Sequence, residues 1–181
     1  ALKRIEVGAM NPSEMVKTNV LGAMNVIEAS HDAQVEKVVA LSTDKAFQPI
    51  SPYGQSKALA ETLFLNANNT RGSHGPAYSV VRYGNVWGSN GSVVPSWQEK
   101  LRSARTVPVT DPDCTRFSME MQEAIGLVLD TIENMSGGEL NIPVLPAYRL
   151  GDLAEAMDAR MNVIGLPEWE KKHEGLAPDQ T

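Results

Sequence analysis

The sequence predicts an α/β fold built on a parallel sheet, accompanied by a smaller lobe of mixed α and β elements. Helical stripes and short β-branched runs alternate at close spacing through the first half of the chain. The run "KVVAL" carries nothing polar in its middle, as a strand covered on both faces would. Beyond Tyr83 the elements become shorter and their order less regular, which suggests the lobe.

Each element has a local cause. Asn11-Pro12-Ser13-Glu14 reads as an N-cap, a proline at N1 and a glutamate at N3, and Val16, Val20, Ala23, Met24 and Ile27 then share one helical stripe to about His31. Lys37 to Ser42 is a β-branched strand, expected to be buried. Ser51-Pro52 repeats the cap-plus-proline start, and the helix it opens continues until Gly72 ends it. Ala77 to Tyr83 is the next strand, followed by the glycine and asparagine loop "GNVWGSNGS". Loops leaving the carboxyl end of a parallel strand are where such sheets bind ligands. A helix over Val94 to Ala104, a strand over Val107 to Thr110 and an amphipathic helix over Met119 to Asn134 come next. A strand over Glu139 to Pro143 and a helix over Leu150 to Met161 complete the reading. The expected division is 1–92 for the sheet domain and 93–181 for the lobe.

Composition narrows the function classes. The 181 residues are 42% hydrophobic and carry a net charge of −6, enough for a buried core and the wrong sign for general nucleic-acid binding. No apolar run approaches membrane-span length and no secretory signal core follows Ala1, so the expected compartment is the cytoplasm, with no membrane partner. Cys114 is the single cysteine, and His31, His74 and His173 lack ligand spacing, so no metal site is expected.

The chemistry concentrates in "STDKAFQPISPYGQSKA", Ser42 to Ala58. Tyr53 and Lys57 sit at i and i+4, on one face of the first turns of a helix. An ammonium there favours ionisation of the phenol, and a tyrosine so placed can take a proton from an alcohol while a hydride leaves the same carbon. Thr43, at the end of the preceding strand, would present its hydroxyl to the same pocket.

These residues resemble the extended short-chain dehydrogenase/reductases that act on nucleotide sugars, and within them the inverting, 5-epimerising UDP-N-acetylglucosamine 4,6-dehydratases of the polysaccharide-biosynthesis type, so a 4,6-dehydratase/5-epimerase is expected. "KTNVLGAMNVI" (Lys17 to Ile27), "ALSTDKA" (Ala40 to Ala46), "YGQSK" (Tyr53 to Lys57), "VVRYGNVWGSNGSVVP" (Val80 to Pro95) and "TRF" (Thr115 to Phe117) look like that family's landmarks in order. The resemblance implies the later part of a Rossmann-like parallel sheet with a small mixed α/β substrate-binding lobe. It also implies roles. Thr43 would orient a C4 hydroxyl and Tyr53 would take its proton. Lys57 would hold the nicotinamide ribose and lower the tyrosine's pKa. Lys45 would remove the C5 proton and Asp44 would protonate the departing C6 hydroxyl. Asn19, Tyr53, Lys57 and Tyr83 would face the cofactor, expected to be NADP with NAD possible. Arg82, Asn85, Val94 and Arg116 would form the UDP side. Family members pair the helices 12–31 and 53–69 across a two-fold axis, so a homo-oligomer is expected, with Met15, Leu21, Leu63 and Phe64 as surplus apolar residues.

The sequence departs from the family pattern at Phe47-Gln48, Ser118 and Trp169. It also contains no Gly-x-Gly-x-x-Gly turn, the motif that seats a dinucleotide's pyrophosphate. It looks like the later half to two-thirds of such an enzyme, and the isolated chain is expected to be inactive. The alternative reading is a noncatalytic nucleotide-sugar-binding or subunit-association fragment.

Overall fold

A computed structural model describes residues 1–178. In chain order the elements are α1 (Ile5–Met10), α2 (Pro12–Met15), a π-helical turn (Val16–Leu21), α3 (Gly22–Asp32), β1 (Lys37–Thr43), a 3-10 turn (Asp44–Ala46), α4 (Pro52–Thr70), β2 (Ala77–Tyr83) and β3 (Asn85–Val86). Then follow α5 (Val93–Leu101), β4 (Thr106–Val109), β5 (Thr115–Met119), α6 (Met121–Asn134), β6 (Leu140–Asn141), β7 (Ala147–Arg149), α7 (Leu150–Ala156) and β8 (Arg160–Val163). The chain forms two compact units, one of Ala1–Tyr83, Ile125–Pro143 and the residues from Gly175 on, the other of Gly84–Ala124 and Val144–Glu174. The division thus falls at Gly84, not after residue 92. The chain returns to the first unit because β6 pairs with β2.

In the first unit the sheet order is β1-β2-β6, all parallel, with Lys37 opposite Ala77 and Thr43 opposite Tyr83. That register brings the carboxyl ends of β1 and β2 level. β2 is buried along six of its seven residues, and Val80 and Tyr78 join Ala23, Ala60, Phe64 and Ala67 in the core. Tyr78 keeps its phenol satisfied there by donating to Ile27 O at 3.2 Å. β1 differs from expectation: among the described residues its one strand partner is β2, and Leu41 is 48% exposed. An apolar run shows that a strand wants cover, not that the cover is present.

The two cap-plus-proline starts behave differently. Ser51 accepts a hydrogen bond from Gly54 N at 3.1 Å, a side-chain N-cap for α4. Asn11 makes no such cap; its side chain donates back to Val7 O at the end of the unforeseen helix α1, and Glu14 pairs with Lys17 instead of reaching back.

In the second unit β3 runs parallel and β7 antiparallel to β5, while β4 pairs in parallel with β8. Trp97, Val107, Val109, Cys114, Leu150, Leu153 and Ala154 form its core. The helix expected to Met161 stops at Ala156. Asp158 adopts a φ of 51°, a left-handed turn that redirects the chain into β8. β5 escaped notice because Thr115, Arg116 and Ser118 break its apolar pattern.

Candidate active site

The site in the first unit starts where β1 ends. Thr43 keeps extended dihedrals, and its hydroxyl accepts from Lys45 N at 3.4 Å, turning the chain into the 3-10 turn. The same hydroxyl donates to Asp44 Oδ1 at 2.8 Å, and Lys45 Nζ donates to that oxygen at 3.0 Å. Asp44 is fully buried, and its Oδ2 has no hydrogen-bond partner; the buried Ser42 Oγ is likewise unpaired. Orphaned buried polar atoms are rare because each forfeits its hydration, and they mark places where polar chemistry is expected.

The first turn of α4 closes over this turn. Gly54 permits the approach, since a Cβ there would collide with the carbonyl oxygen of Lys45. Tyr53 is thereby buried, with Thr43, Asp44 and Lys45 close enough to act on its phenol. Burial pushes the phenol above its ordinary value, and the Lys45 ammonium and the Thr43 hydroxyl pull it back, against the Asp44 and Tyr83 charges. Lys57 Nζ donates to Leu41 O at 2.6 Å, and burial holds its ammonium below the usual lysine value despite the opposing Glu61 carboxylate. Tyr83, opposite Thr43 in the sheet, is raised by burial.

Asn19 lies in the π-helical turn, a distortion that often accompanies functional positions. It accepts from Leu2 N at 2.8 Å, donates to Leu2 O at 3.0 Å and donates to Ser56 Oγ at 3.0 Å. Ser56 Oγ in turn donates to Tyr53 O at 2.8 Å. Asn19 thus reaches the tyrosine's turn through Ser56, a residue the sequence reading overlooked.

The residues expected on the UDP side fall in both units. Arg82 is in the first unit, where its guanidinium grips Glu61 through two nitrogens and Leu176 O through the third. Arg116 lies on β5 in the second unit, buried and paired with Glu170, with further bonds to Thr115 O and Lys172 O. Each guanidinium is paired with a protein carboxylate, Arg82 with Glu61 through two nitrogens and Arg116 with Glu170 through one. Asn85 on β3 and Val94 on α5 also belong to the second unit. Glu61 is the second residue that sequence reasoning missed; its signal was its spacing, one turn after Lys57 and two after Tyr53.

The whole chain, residues 1–181, matches the family described as polysaccharide biosynthesis protein. The chain belongs to that family. A relative in it, the UDP-N-acetylglucosamine 4,6-dehydratase (inverting) of Campylobacter jejuni serotype O:2, is 41% identical over 177 residues, 96% of this chain and 53% of its own length. The UDP-glucose 4-epimerase of Rickettsia canadensis is 36% identical over 99% of this chain and 54% of its own. The solved structure of Pen from Bacillus thuringiensis superposes with a TM-score of 0.94 at 36% identity, over 97% of this chain and 58% of that one. The chain therefore spans about half the length of the family relatives it matches. The α/β fold with its parallel sheet agrees with them. No helix among the described residues is long and apolar enough to cross a membrane.

Proposed function

We propose that the full-length protein is a nucleotide-sugar 4,6-dehydratase, a lyase that acts on UDP-N-acetylglucosamine-like substrates through transient oxidation at C4. The observation that carries this reading is the hydrogen-bonded run Thr43, Asp44, Lys45, with Asp44 fully buried at its centre and the buried Tyr53 on the first turn of α4 closing over it. An oxidation needs only the tyrosine and the threonine. The added carboxylate and amine are what an elimination requires.

Thr43 orients the C4 hydroxyl, and Tyr53, acting as the phenolate that the Lys45 ammonium favours, accepts its proton at Oη. Passage of the Lys45 proton along its bond to Asp44 Oδ1 leaves a neutral amine and a carboxylic acid. Lys45 Nζ then removes the C5 proton, made acidic by the new ketone, and Asp44 protonates the departing C6 hydroxyl as water. Lys45 returns its proton to C5. Tyr53 ends one proton richer and the Asp44-Lys45 pair one poorer, and the balance is restored by passing that proton back to the pair by way of the Thr43 hydroxyl, which is bonded to Asp44.

A nicotinamide dinucleotide, when bound, supplies the hydride acceptor for C4 and the donor for C6. Tyr53, Lys57 and Tyr83 fit its nicotinamide-ribose end in type and placement, and Asn19 supports them through Ser56. The chain's own residues include no Gly-x-Gly-x-x-Gly turn for the pyrophosphate. We assign NADP, with NAD as the alternative. On the UDP side we retain Asn85 and Val94, and Arg116 on the condition that it exchanges Glu170 for phosphate.

The 181-residue chain alone is the case for the second reading, a nucleotide-sugar-binding or association fragment. The exposed edge strand β1 and the lack of a pyrophosphate turn favour it for the isolated chain. Association through the helices 12–31 and 53–69 is part of the proposal. Met15 and Phe64 belong to the core and do not serve it, but Leu21, Met24 and Leu59 are exposed. Sedimentation showing monomer alone at micromolar concentration would count against it.

The test is incubation of full-length protein with UDP-N-acetylglucosamine and NADP or NAD, followed by NMR. A 4-keto-6-deoxy sugar is expected. A C4 epimer alone, or unchanged substrate, would contradict the dehydratase reading.

A further inference from the structure

Phe47, where the chain departs from the family pattern, and Arg82, whose guanidinium is not open to a phosphate, belong to one cluster. Arg82 donates Nε and Nη2 to the two oxygens of Glu61 at 2.9 and 2.5 Å, and Nη1 to Leu176 O at 2.7 Å. Arg82 is 8% exposed and Glu61 6%. The guanidinium carbon lies 5.9 Å from the centre of the Phe47 ring, within cation–π range. Gly175 also lies against the ring: a Cβ there would come within 2.8 Å of Phe47 Cδ1. Phe47 directly follows the 3-10 turn and donates its N–H to Asp44 O at 3.1 Å.

These contacts join three pieces of chain to the helix that carries Tyr53 and Lys57. Glu61 stands on that helix, Arg82 at the carboxyl end of β2, Phe47 at the exit of the Asp44-Lys45 turn, and Leu176 on the returning strand of main chain. A buried bidentate pair holds its geometry, because withdrawing either partner leaves an uncompensated charge out of water.

We propose that Glu61 and Arg82 are positioning residues whose ion pair clamps Phe47 and the Gly175-Leu176 main chain, fixing the Asp44-Lys45 turn relative to Tyr53 and Lys57. The clamp itself rests on the contacts above; its catalytic meaning rests on the dehydratase reading. It also replaces phosphate binding as the role of Arg82.

The experiment uses full-length Arg82→Lys, Arg82→Met and the double variant Glu61→Leu/Arg82→Met, which removes the pair without stranding a charge and covers the case in which a single variant fails to fold. Amide hydrogen exchange is read at residues 44–47 and 175–178, and kcat and KM are read for UDP-N-acetylglucosamine. In Arg82→Met, or in the double variant if that single does not fold, exchange in both segments should quicken by about tenfold or more, as expected for local opening. kcat should fall by about 100-fold, the cost of misplacing a catalytic group by about 1 Å, with KM little changed. Arg82→Lys keeps the charge but not the fork and should show an intermediate loss. Unaltered exchange in both segments overturns the clamp, and so does a rise in KM with kcat and exchange unchanged, which would make Arg82 a phosphate ligand. If the wild-type protein dehydrates no UDP-sugar, the dehydratase reading fails while the exchange measurement still decides the clamp.

Discussion

Gly54 sits against the main chain of Lys45 so closely that no side chain fits between them. This contact sets the first turn of α4, and Tyr53 with it, on top of the turn that carries Asp44 and Lys45. Gly54→Ala tests it by opposing two effects. Alanine in a helix is favoured over glycine by about 0.5–1 kcal/mol, but forcing a methyl group into backbone costs about 1–3 kcal/mol. A net loss of stability in urea unfolding is expected, with a fall in turnover of about 100-fold. A stabilised and fully active variant would show that the two segments are not in register contact.

Ser51→Ala removes the α4 cap and leaves Gly54 N without its side-chain acceptor. The expected loss is about 1 kcal/mol, with Ser51→Asp near wild type because aspartate caps equally well. Equal losses in both variants would point to packing of the buried Ser51 side chain, not capping.

Tyr53 should leave a signature in alkaline stability. Burial raises its folded pKa above 10.0, so between the unfolded and folded values the native state keeps a proton that the unfolded chain has lost. Stability from the neutral phenol is therefore complete below the unfolded value and is lost as pH rises through the folded one. Lys57 has the opposite sign: with its folded pKa below 10.5, its contribution is present above that value and lost as pH falls through the folded one. Thermal melts from about pH 9 to 11.5 should show a shallower alkaline decline for Tyr53→Phe than for wild type. A steeper decline would reverse the assigned shift.

Lys45, more than Lys57, should control where Tyr53 ionises. Among the influences on the phenol, the Lys45 ammonium is the largest that lowers its pKa. Ultraviolet difference titration, with Tyr53→Phe as the reference that isolates this phenol, should find the Tyr53 transition at higher pH in Lys45→Met. Lys57→Met should move it less. A larger move in Lys57→Met would restore the role first expected from the i, i+4 spacing.

The contrast between these two lysines shows where sequence reading reaches and stops. The strand over Ala77 to Tyr83, the helix opened by Ser51-Pro52 and the placing of Tyr53 and Lys57 at the start of that helix were legible because their signals are local: periodicity, a cap and a four-residue spacing. Arg82 and Arg116 were legible as cations but not as ion-paired residues, because Glu61 and Glu170 lie 21 and 54 positions away. The first half of β8 was read as helix and the rest left unassigned because nothing in "RMNV" announces its pairing with β4, and the left-handed turn at Asp158 is uncommon for a residue other than glycine. The half-exposed face of β1 has the same origin, since an apolar strand does not name its neighbours.

Solvent isotope exchange measures most directly the step proposed for Lys45, removal of the C5 proton. Full-length protein incubated with UDP-N-acetylglucosamine in deuterium oxide should place deuterium at C5. Lys45→Ala should abolish the label while reduced cofactor still accumulates at 340 nm, because Tyr53 and Thr43 remain to support oxidation at C4. Deuterium at C5 at an unchanged rate in Lys45→Ala would remove Lys45 from that role and contradict the account.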